Sequence, residues 1–324
     1  MSASDIARIL VTGAAGQVGC ALVAALGRRY GPANVVAADI KFPPSFSESS
    51  PPRVRLDVTD REALAQVVQA HRIDTIYHLA AILSANGEKN PQACWQVNVG
   101  GLLNVLEVAR EYSLRRVICP SSMAVFGPDA PRQGTPQDTL LHPTTMYGVT
   151  KVSGELLGEY YFRRYGVDVR GIRYPGIISS EARPGGGTTD YAVEIFYAAL
   201  QERRYTCFLR EDTVLPMIYM PDVIEGTIQL AEADPARLTR HTDYNMTGFS
   251  IAPRDLAAEI QRHLPDFEIA YAPDARQAIA DSWPAAIDDR VARRDWGWRP
   301  RHDLAAMTAD MLAKLAARQR AGSL

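Results

Sequence analysis

Tyr147-Gly-Val-Thr-Lys151 sets a phenol and an ammonium four residues apart, a spacing that brings both to one face of a helix. A free phenol has a pKa near ~10 and is a poor base at neutral pH, but positive charge beside it stabilises the phenolate. Lys151 offers one such charge, and an oxidised nicotinamide ring would add a second. Ser122 stands 25 residues upstream, just past an apolar run, where its hydroxyl can hold a reacting oxygen by hydrogen bond. Base, cation and hydroxyl together suit proton removal from an alcohol whose carbon surrenders a hydride. A Tyr-x-x-x-Lys spacing alone is common by chance, so the elements around it carry the weight.

Gly13-Ala-Ala-Gly16-Gln-Val-Gly19 follows the apolar run Ile9–Val11 and opens a helical pattern. Glycines there permit a tight turn and let the backbone approach a pyrophosphate, which rests on the free N–H groups of the helix start. Asp39 ends the next β-rich run, 20 residues after Gly19. A carboxylate at that point accepts hydrogen bonds from both adenosine ribose hydroxyls and repels a 2′-phosphate. NAD is therefore expected rather than NADP, although Lys41 is near. Asp57-Val58 follows the third run, where a side chain can meet the adenine amino group. The small residues of Leu79-Ala80-Ala81, after the fourth, let a dinucleotide lie close to a sheet. The plainer alternative is that the glycines serve packing and Asp39 a turn.

Such residues need a framework of alternating strands and helices, and the first 175 residues supply it. Ile9–Thr12, Val35–Ala38, Val54–Leu56, Ile76–Leu79, Val117–Cys119 and Val169–Ile172 read as strands. Helical patterns lie between them at Val18–Arg29, Arg61–His71, Val97–Glu111 and Tyr147–Arg164. Thr59 or Asp60 can cap the second, with Glu62 in its first turn. This alternation specifies an α/β architecture, a Rossmann-like doubly wound parallel sheet with helices on both faces. Residues 1–177 are expected to form the NAD-binding domain, with 216–240 returning to it and Met217–Glu232 rejoining the main sheet. Residues 178–215 and 241–324 are expected to form a smaller C-terminal substrate-binding lobe. That lobe holds the Gly/Pro-rich stretch Arg183–Asp190, a helix at Tyr191–Gln201 and a final helix at about Leu304–Arg318. Phe46–Pro52 reads as a short surface loop, and no internal repeat is visible.

The assembled motifs resemble those of the extended short-chain dehydrogenases/reductases, the superfamily of sugar-nucleotide epimerases and dehydratases. The resemblance is carried by Gly13-x-x-Gly16-x-x-Gly19, Asp39, Asp57-Val58, Leu79-Ala80-Ala81, Asn98, Ser121-Ser122, Tyr147-x-x-x-Lys151 and Arg173-Tyr174-Pro175, in family order over about half the chain. It implies that Ser122 is the catalytic serine and Tyr147 the acid–base. Lys151 then binds nicotinamide ribose and eases ionisation of the tyrosine. It also implies that Gln17, Val18, Tyr174 and Pro175 join the glycines on the cofactor. Ser84, Ser121, Gly187 and Thr188 join Ser122 and Tyr147 on the substrate. Asn98 supports the site through backbone or water contacts, or else is merely the N-cap of a helix at Val99–Glu111.

Two departures narrow the substrate. Dehydratases of the superfamily carry Asp-Glu after the catalytic Ser/Thr, whereas Met123-Ala124 follow here, so elimination of water lacks its acid and base. Many nucleotide-sugar members read Arg-Tyr-Phe-Asn where this chain reads Arg173-Tyr174-Pro175-Gly176, so a diphosphate contact is missing. Five further stretches resemble the L-threonine 3-dehydrogenases of the superfamily: Arg173–Ser179, Pro184–Ala192, Pro216–Asp222, Asp281–Pro284 and Asp295–Trp298. That resemblance implies metal-independent, NAD-dependent oxidation of the L-threonine β-hydroxyl to 2-amino-3-ketobutyrate. It also suggests that the loop Gly185–Thr189 closes over the amino acid, although a glycine run can equally be plain flexible loop. Trp283 is expected to close or pack the lobe, and Asp288-Asp289 to cap a short helix.

Composition removes other classes. The chain is 324 residues long with a formal net charge of −2, too near neutral for a nucleic-acid or anionic-membrane surface. Arg163-Arg164 and Arg203-Arg204 read as solvated helix-face pairs. Cys20, Cys94, Cys119 and Cys207 are far apart, and the six histidines form no metal-binding pattern, so neither a zinc site nor a disulfide framework is expected. No 18-residue apolar run or basic leader is present, so a cytoplasmic protein is expected. Rival readings are a nucleotide-sugar epimerase or reductase and a non-catalytic NAD-binding regulator. Leu102, Val105, Leu106, Leu156 and Tyr160 can serve either the domain core or a homodimer, and a dimer is not distinguished from a tetramer.

Overall fold

The first strand, β1 (Ile9–Thr12), is buried along its whole length, as a parallel strand covered on both faces must be. In the computed structural model, which describes residues 6–43, 51–181, 185 and 187–322, this strand sits at the centre of the sheet. The chain continues through α1 (Gln17–Tyr30), β2 (Val35–Asp39), β3 (Arg53–Arg55), α2 (Arg61–His71) and β4 (Thr75–His78). It then runs through α3 (Ser84–Lys89), α4 (Pro91–Trp95), α5 (Gly101–Glu111), β5 (Arg116–Ile118), β6 (Ser121–Ser122), α6 (Met146–Tyr165) and β7 (Val169–Arg170). Six strands form one parallel sheet in the order β3-β2-β1-β4-β5-β7. Strand order reverses between β1 and β4, and ligands of open α/β sheets bind outside the strand ends at such a point.

Alternation along β1 sorts the two faces. Ile9 and Val11 join Val35, Ala37 and the α1 residues Leu22, Val23 and Leu26 in one core. Leu10 joins Val36, Ile76 and the α2 and α5 residues Leu64, Val68, Leu102, Val105 and Leu106 in the other. Asp60 caps α2 by accepting from Ala63 N at 2.9 Å, and Glu62 lies in the first turn.

Three local readings are corrected. The expected helix Val97–Glu111 starts inside a π-turn at Gln96–Gly100, which joins α4 to α5, and only Gly101–Glu111 is α-helix. Asn98 lies in that turn, so it is no N-cap. Its amide instead holds Ile82 through both N–H and C=O, at 2.8 and 3.0 Å, and donates to Thr150 Oγ1 at 3.0 Å. The expected strand Val169–Ile172 breaks at Gly171, whose N–H bonds His241 O and whose C=O accepts from Tyr244 N. Beyond the break come β8 (Ile172–Tyr174) and β9 (Gly176–Ile178).

The remaining chain forms α7 (Tyr191–Gln201), β10 (Arg204–Cys207), β11 (Leu215–Tyr219), α8 (Met220–Glu232), β12 (Tyr244–Asn245) and β13 (Phe249–Ile251). It closes with α9 (Pro253–His263), β14 (Glu268–Tyr271), α10 (Arg276–Asp281), α11 (Arg290–Trp296) and α12 (Leu304–Arg320). β8 pairs with β6 and β12 in a small separate sheet. β11 pairs with β9 and β13 in another, so it does not rejoin the main sheet as expected for Met217–Glu232. The segment returns to this domain by packing: Ile218 of β11 and Val223, Ile228 and Leu230 of α8 join the core that α1 shares. The C-terminal carbonyls of α8 are held by Arg170, fully buried, which donates to Leu230 O and Ala233 O at 2.7 Å. Helices α7, α9 and α12 cover a third core that includes Tyr191, Phe196, Leu256, Met311 and Trp283.

Candidate active site

The turn after β1 is built for close approach. Gly13 has φ +70°, and a Cβ on it would lie 2.6 Å from Ala80 N; one on Gly19 would lie 2.2 Å from Gly13 O. Gly16 is the N-cap of α1, whose first turn holds no acidic side chain, so its free N–H groups face the cleft without competition. The Gln17 side-chain Nε2 is buried there with no hydrogen-bond partner among the described residues. An orphaned donor beside a helix start suits a pyrophosphate, so the loop fits a dinucleotide. Asp39, at the end of β2, accepts from Ala15 N at 2.9 Å, which fastens its carboxylate to the same turn.

Other expected cofactor residues lie farther off. The exposed Asp57 carboxylate accepts from Thr59 N and Oγ1 at 2.9 and 2.7 Å. Val58 is buried against Gly101. Ala80 and Asn98 face a second void of about 20 Å³ behind the cleft rather than the cleft itself.

A cleft of about 260 Å³ opens beyond the strand ends. Gly13, Gly16, Gln17, Val18, Gly19, Leu79 and Ala81 line one end; Ser84, Ser121, Ser122, Tyr147, Lys151, Tyr174, Pro175, Gly187 and Thr188 line the rest. Thr145 caps α6 by accepting from Gly148 N at 3.1 Å, so Tyr147 and Lys151 sit in its first two turns. Lys151 Nζ lies 5.6 Å from the centre of the Tyr147 ring and donates to Pro120 O at 2.8 Å. Ser122, partly exposed, accepts from Ala124 N at 3.2 Å. Ser121 is different: its hydroxyl donates to the buried carboxylate of Glu155 at 2.6 Å. Tyr174 likewise turns its hydroxyl away, bonding Thr227 Oγ1 at 2.6 Å.

His78 lies between cofactor loop and lysine. Burial, and secondarily Lys151, lowers its pKa to about 3, so it stays neutral, with Nδ1 2.9 Å from Thr12 Oγ1. It adds polarity without charge.

The lobe side of the cleft was less visible in the sequence. Thr188 is 1% exposed, and its hydroxyl has no partner among the described residues. Gly187 N donates to Asp190 Oδ2 at 2.7 Å, and Asn86 reaches Gly185 O at 3.1 Å, tying α3 to the glycine stretch. Within the loop 185–189, Gly186 lies outside the described residues, as do Arg183 and Pro184 of the longer stretch and residues 46–50 of the expected surface loop. Met123, Ile177, Thr189 and Asp190 also line the cleft, as does Trp283, which is both packed in the lobe core and part of the cleft wall. Thr189 and Asp190 follow directly on Thr188, and that adjacency was the available signal. Trp283 had none beyond its resemblance.

Several candidates lie elsewhere. Asp288 bonds Arg290 and Asp289 bonds Arg293 and Trp298, and neither lines the cleft. Asp289 occupies the N-cap position of α11 without a side-chain cap bond, which corrects the capping expectation for it. The four cysteines are unbridged. Among the described residues no cluster of three or more His, Cys, Asp or Glu is placed to hold a metal, and no helix is long and apolar enough to cross a membrane.

Residues 9–246 match the model of the NAD dependent epimerase/dehydratase family. An uncharacterised epimerase/dehydratase of Staphylococcus haemolyticus is 49% identical over 310 residues, covering 94% of this chain and 96% of its own. The crystal structure of an L-threonine dehydrogenase from Phytophthora infestans superposes with TM-score 0.93 at 51% identity, covering 96% of this chain and 100% of its own. A monomeric L-threonine 3-dehydrogenase from a metagenome superposes with TM-score 0.93 at 47% identity, covering 96% and 99%.

Proposed function

The chain belongs to the NAD dependent epimerase/dehydratase family, and we propose that it is an NAD-dependent L-threonine 3-dehydrogenase. The observation that carries the reading is one cleft with two dissimilar ends. A glycine turn with an orphaned Gln17 amide lies at one, and Tyr147, Lys151 and Ser122 converge at the other. Similarity over nearly the full length to the L-threonine dehydrogenase of Phytophthora infestans supports the choice of alcohol.

In this reading Gly13, Gly16, Gln17, Val18 and Gly19 hold the pyrophosphate, Asp39 the adenosine ribose, and Lys151 the nicotinamide ribose. Asp57 and Val58 border the adenine end, while Leu79, Ala80, Ala81, Tyr174 and Pro175 leave room along the sheet. Asn98 steadies the floor through Ile82 and Thr150. Bound NAD supplies the hydride acceptor. Tyr147 removes the proton of the threonine β-hydroxyl, and Ser122 donates a hydrogen bond to the same oxygen. Lys151 turns its ammonium toward the phenol ring. Threonine then leaves as 2-amino-3-ketobutyrate, with NADH and a proton as co-products. Thr188, Gly187, Ser84 and Ser121 surround the amino-acid end. Because a phenol serves as base, the reaction needs no bound metal, and EDTA is expected to leave the rate unchanged.

We read the protein as a cytoplasmic homodimer. Leu102, Val105 and Leu106 face their own domain core, whereas Leu156 is 66% and Tyr160 52% exposed on α6. Leu103 on α5 is exposed as well, and these apolar side chains suit cover by a second copy.

The deciding experiment mixes the protein with NAD⁺ and L-threonine and follows NADH absorbance, with D-threonine, L-allo-threonine, L-serine and a UDP-sugar in parallel. Reduction with L-threonine is the expected result. Turnover or tight binding with the UDP-sugar alone would replace the substrate while leaving the cofactor reading intact.

A further inference from the structure

The proposed chemistry leaves a buried carboxylate unused. Glu155 follows Lys151 by one turn of α6 and Tyr147 by two, so the three share a helix face. Glu155 is 7% exposed and is not among the residues lining the cleft, so it does not reach the substrate space. Its Oε1 accepts from Ser121 Oγ at 2.6 Å and from Arg173 Nε at 2.8 Å, and its Oε2 from Arg173 Nη2 at 2.7 Å. Arg173, 2% exposed, also donates to Gln137 O at 3.1 Å and Asn245 Oδ1 at 3.3 Å. Burial pushes the Glu155 carboxyl upward, while the Arg173 guanidinium and the Ser121 hydroxyl favour its charged form.

The strand that carries Ser122 has little else to hold it. β6 is two residues long and, among the described residues, pairs with Arg173 and Tyr174 of β8 alone. α6 grips it from one side: Lys151 takes Pro120 O, and Glu155 takes the Ser121 hydroxyl. The next residue is Ser122. A buried ion pair yields little net stability over well-packed apolar residues, so what Glu155 and Arg173 contribute here is geometry.

We propose that Glu155 is a positioning residue: through the Ser121 hydroxyl it sets the reach between Ser122 and Tyr147. This rests on the alcohol-oxidation reading above and adds a residue to it. Displacing a reacting group by a fraction of an ångström to an ångström is costly, so a loosened β6 is expected to lower kcat about 10-fold or more.

The test uses Glu155→Gln, Ser121→Ala and their double variant in the full-length protein. Ser121→Ala cuts the link while leaving the ion pair in place, and so covers the case in which Glu155→Gln does not fold. Both single variants should lose kcat for L-threonine, with KM for NAD⁺ and NADH affinity within about twofold. If Glu155 acts through Ser121, the double variant falls no further than the worse single one. Ser121→Thr, which keeps the hydroxyl, should restore most of the rate. Unchanged kcat in Ser121→Ala, a double loss equal to the product of the single losses, or lower melting temperature with wild-type kcat would each overturn the proposal. A wild-type protein that binds NADH but leaves L-threonine untouched overturns the substrate instead. The same variants are then judged on the alcohol that it does oxidise.

Discussion

At neutral pH a phenol takes no proton from an alcohol unaided, so the value of Tyr147 depends on what stands beside it. Lys151 is close to the ring but spends one N–H on Pro120 O, which fixes where its charge points. Tyr147→Phe removes the one oxygen and leaves ring, lysine and cleft in place. Turnover should fall by at least ~10²-fold, the lower end of what general-base catalysis contributes. NADH affinity, read from fluorescence, should stay within twofold; near-normal turnover would refute Tyr147 as the base. Tyr147, Lys151, Asp39 and the glycines were legible as residue types at set spacings. The Ser121–Glu155 bond was not, because its partners are 34 residues apart and serine's hydroxyl turns either way.

Elements are held to one another by charges that the strand pattern does not reveal. Asp295 in α11 is 2% exposed at its side chain and accepts from Thr239 N and Oγ1, from Tyr244 OH and from Arg294. Burial alone would raise its carboxyl, but Arg294 and the other donors outweigh that and hold it at about 2, below the ordinary 3.8. A carboxylate depressed in the folded state stabilises fully above its unfolded value, and that contribution is lost as pH falls through the folded one. Asp295→Asn should therefore cost about 2 kcal/mol at pH 7. The gap between variant and wild type in urea unfolding should close between roughly pH 4 and pH 2. A gap that stays constant down to pH 2 would mean that packing, not charge, holds α11. On the same scale, α2 and α7 were legible end to end because their apolar periodicity is local, and α2 adds a local cap at Asp60. The π-turn at Gln96–Gly100 was not, since it answers to Ile82 and Thr150 across space.

For the whole molecule, the outer face of α5 and α6 poses the remaining question. Leu156 and Tyr160 are exposed in the single chain, where an isolated apolar side chain needs no explanation but a contiguous group does. If a second copy covers them, wild-type protein sediments as a dimer and Leu156→Glu with Tyr160→Glu shifts it toward monomer. Folding and NADH affinity should be retained, because neither residue lines the cleft. A monomeric wild type would refute the pairing.

What the sequence determined by itself was local in origin. A glycine turn between an apolar run and a helix start, an acid at the next strand end and a Tyr-x-x-x-Lys helix each follow from spacing over a few residues. The strand–helix alternation that sets the parallel sheet does too. Tertiary structure decided the rest. It broke the strand at Gly171 where His241 and Tyr244 come in, and turned β11 to β9 and β13 instead of the main sheet. It also set Trp283 in the wall of a cleft that Tyr147 and Lys151 line from α6. Those outcomes depend on contacts between residues tens to more than a hundred positions apart. Periodicity carries no information about such contacts, because which distant surfaces meet is settled only by how the buried faces pack.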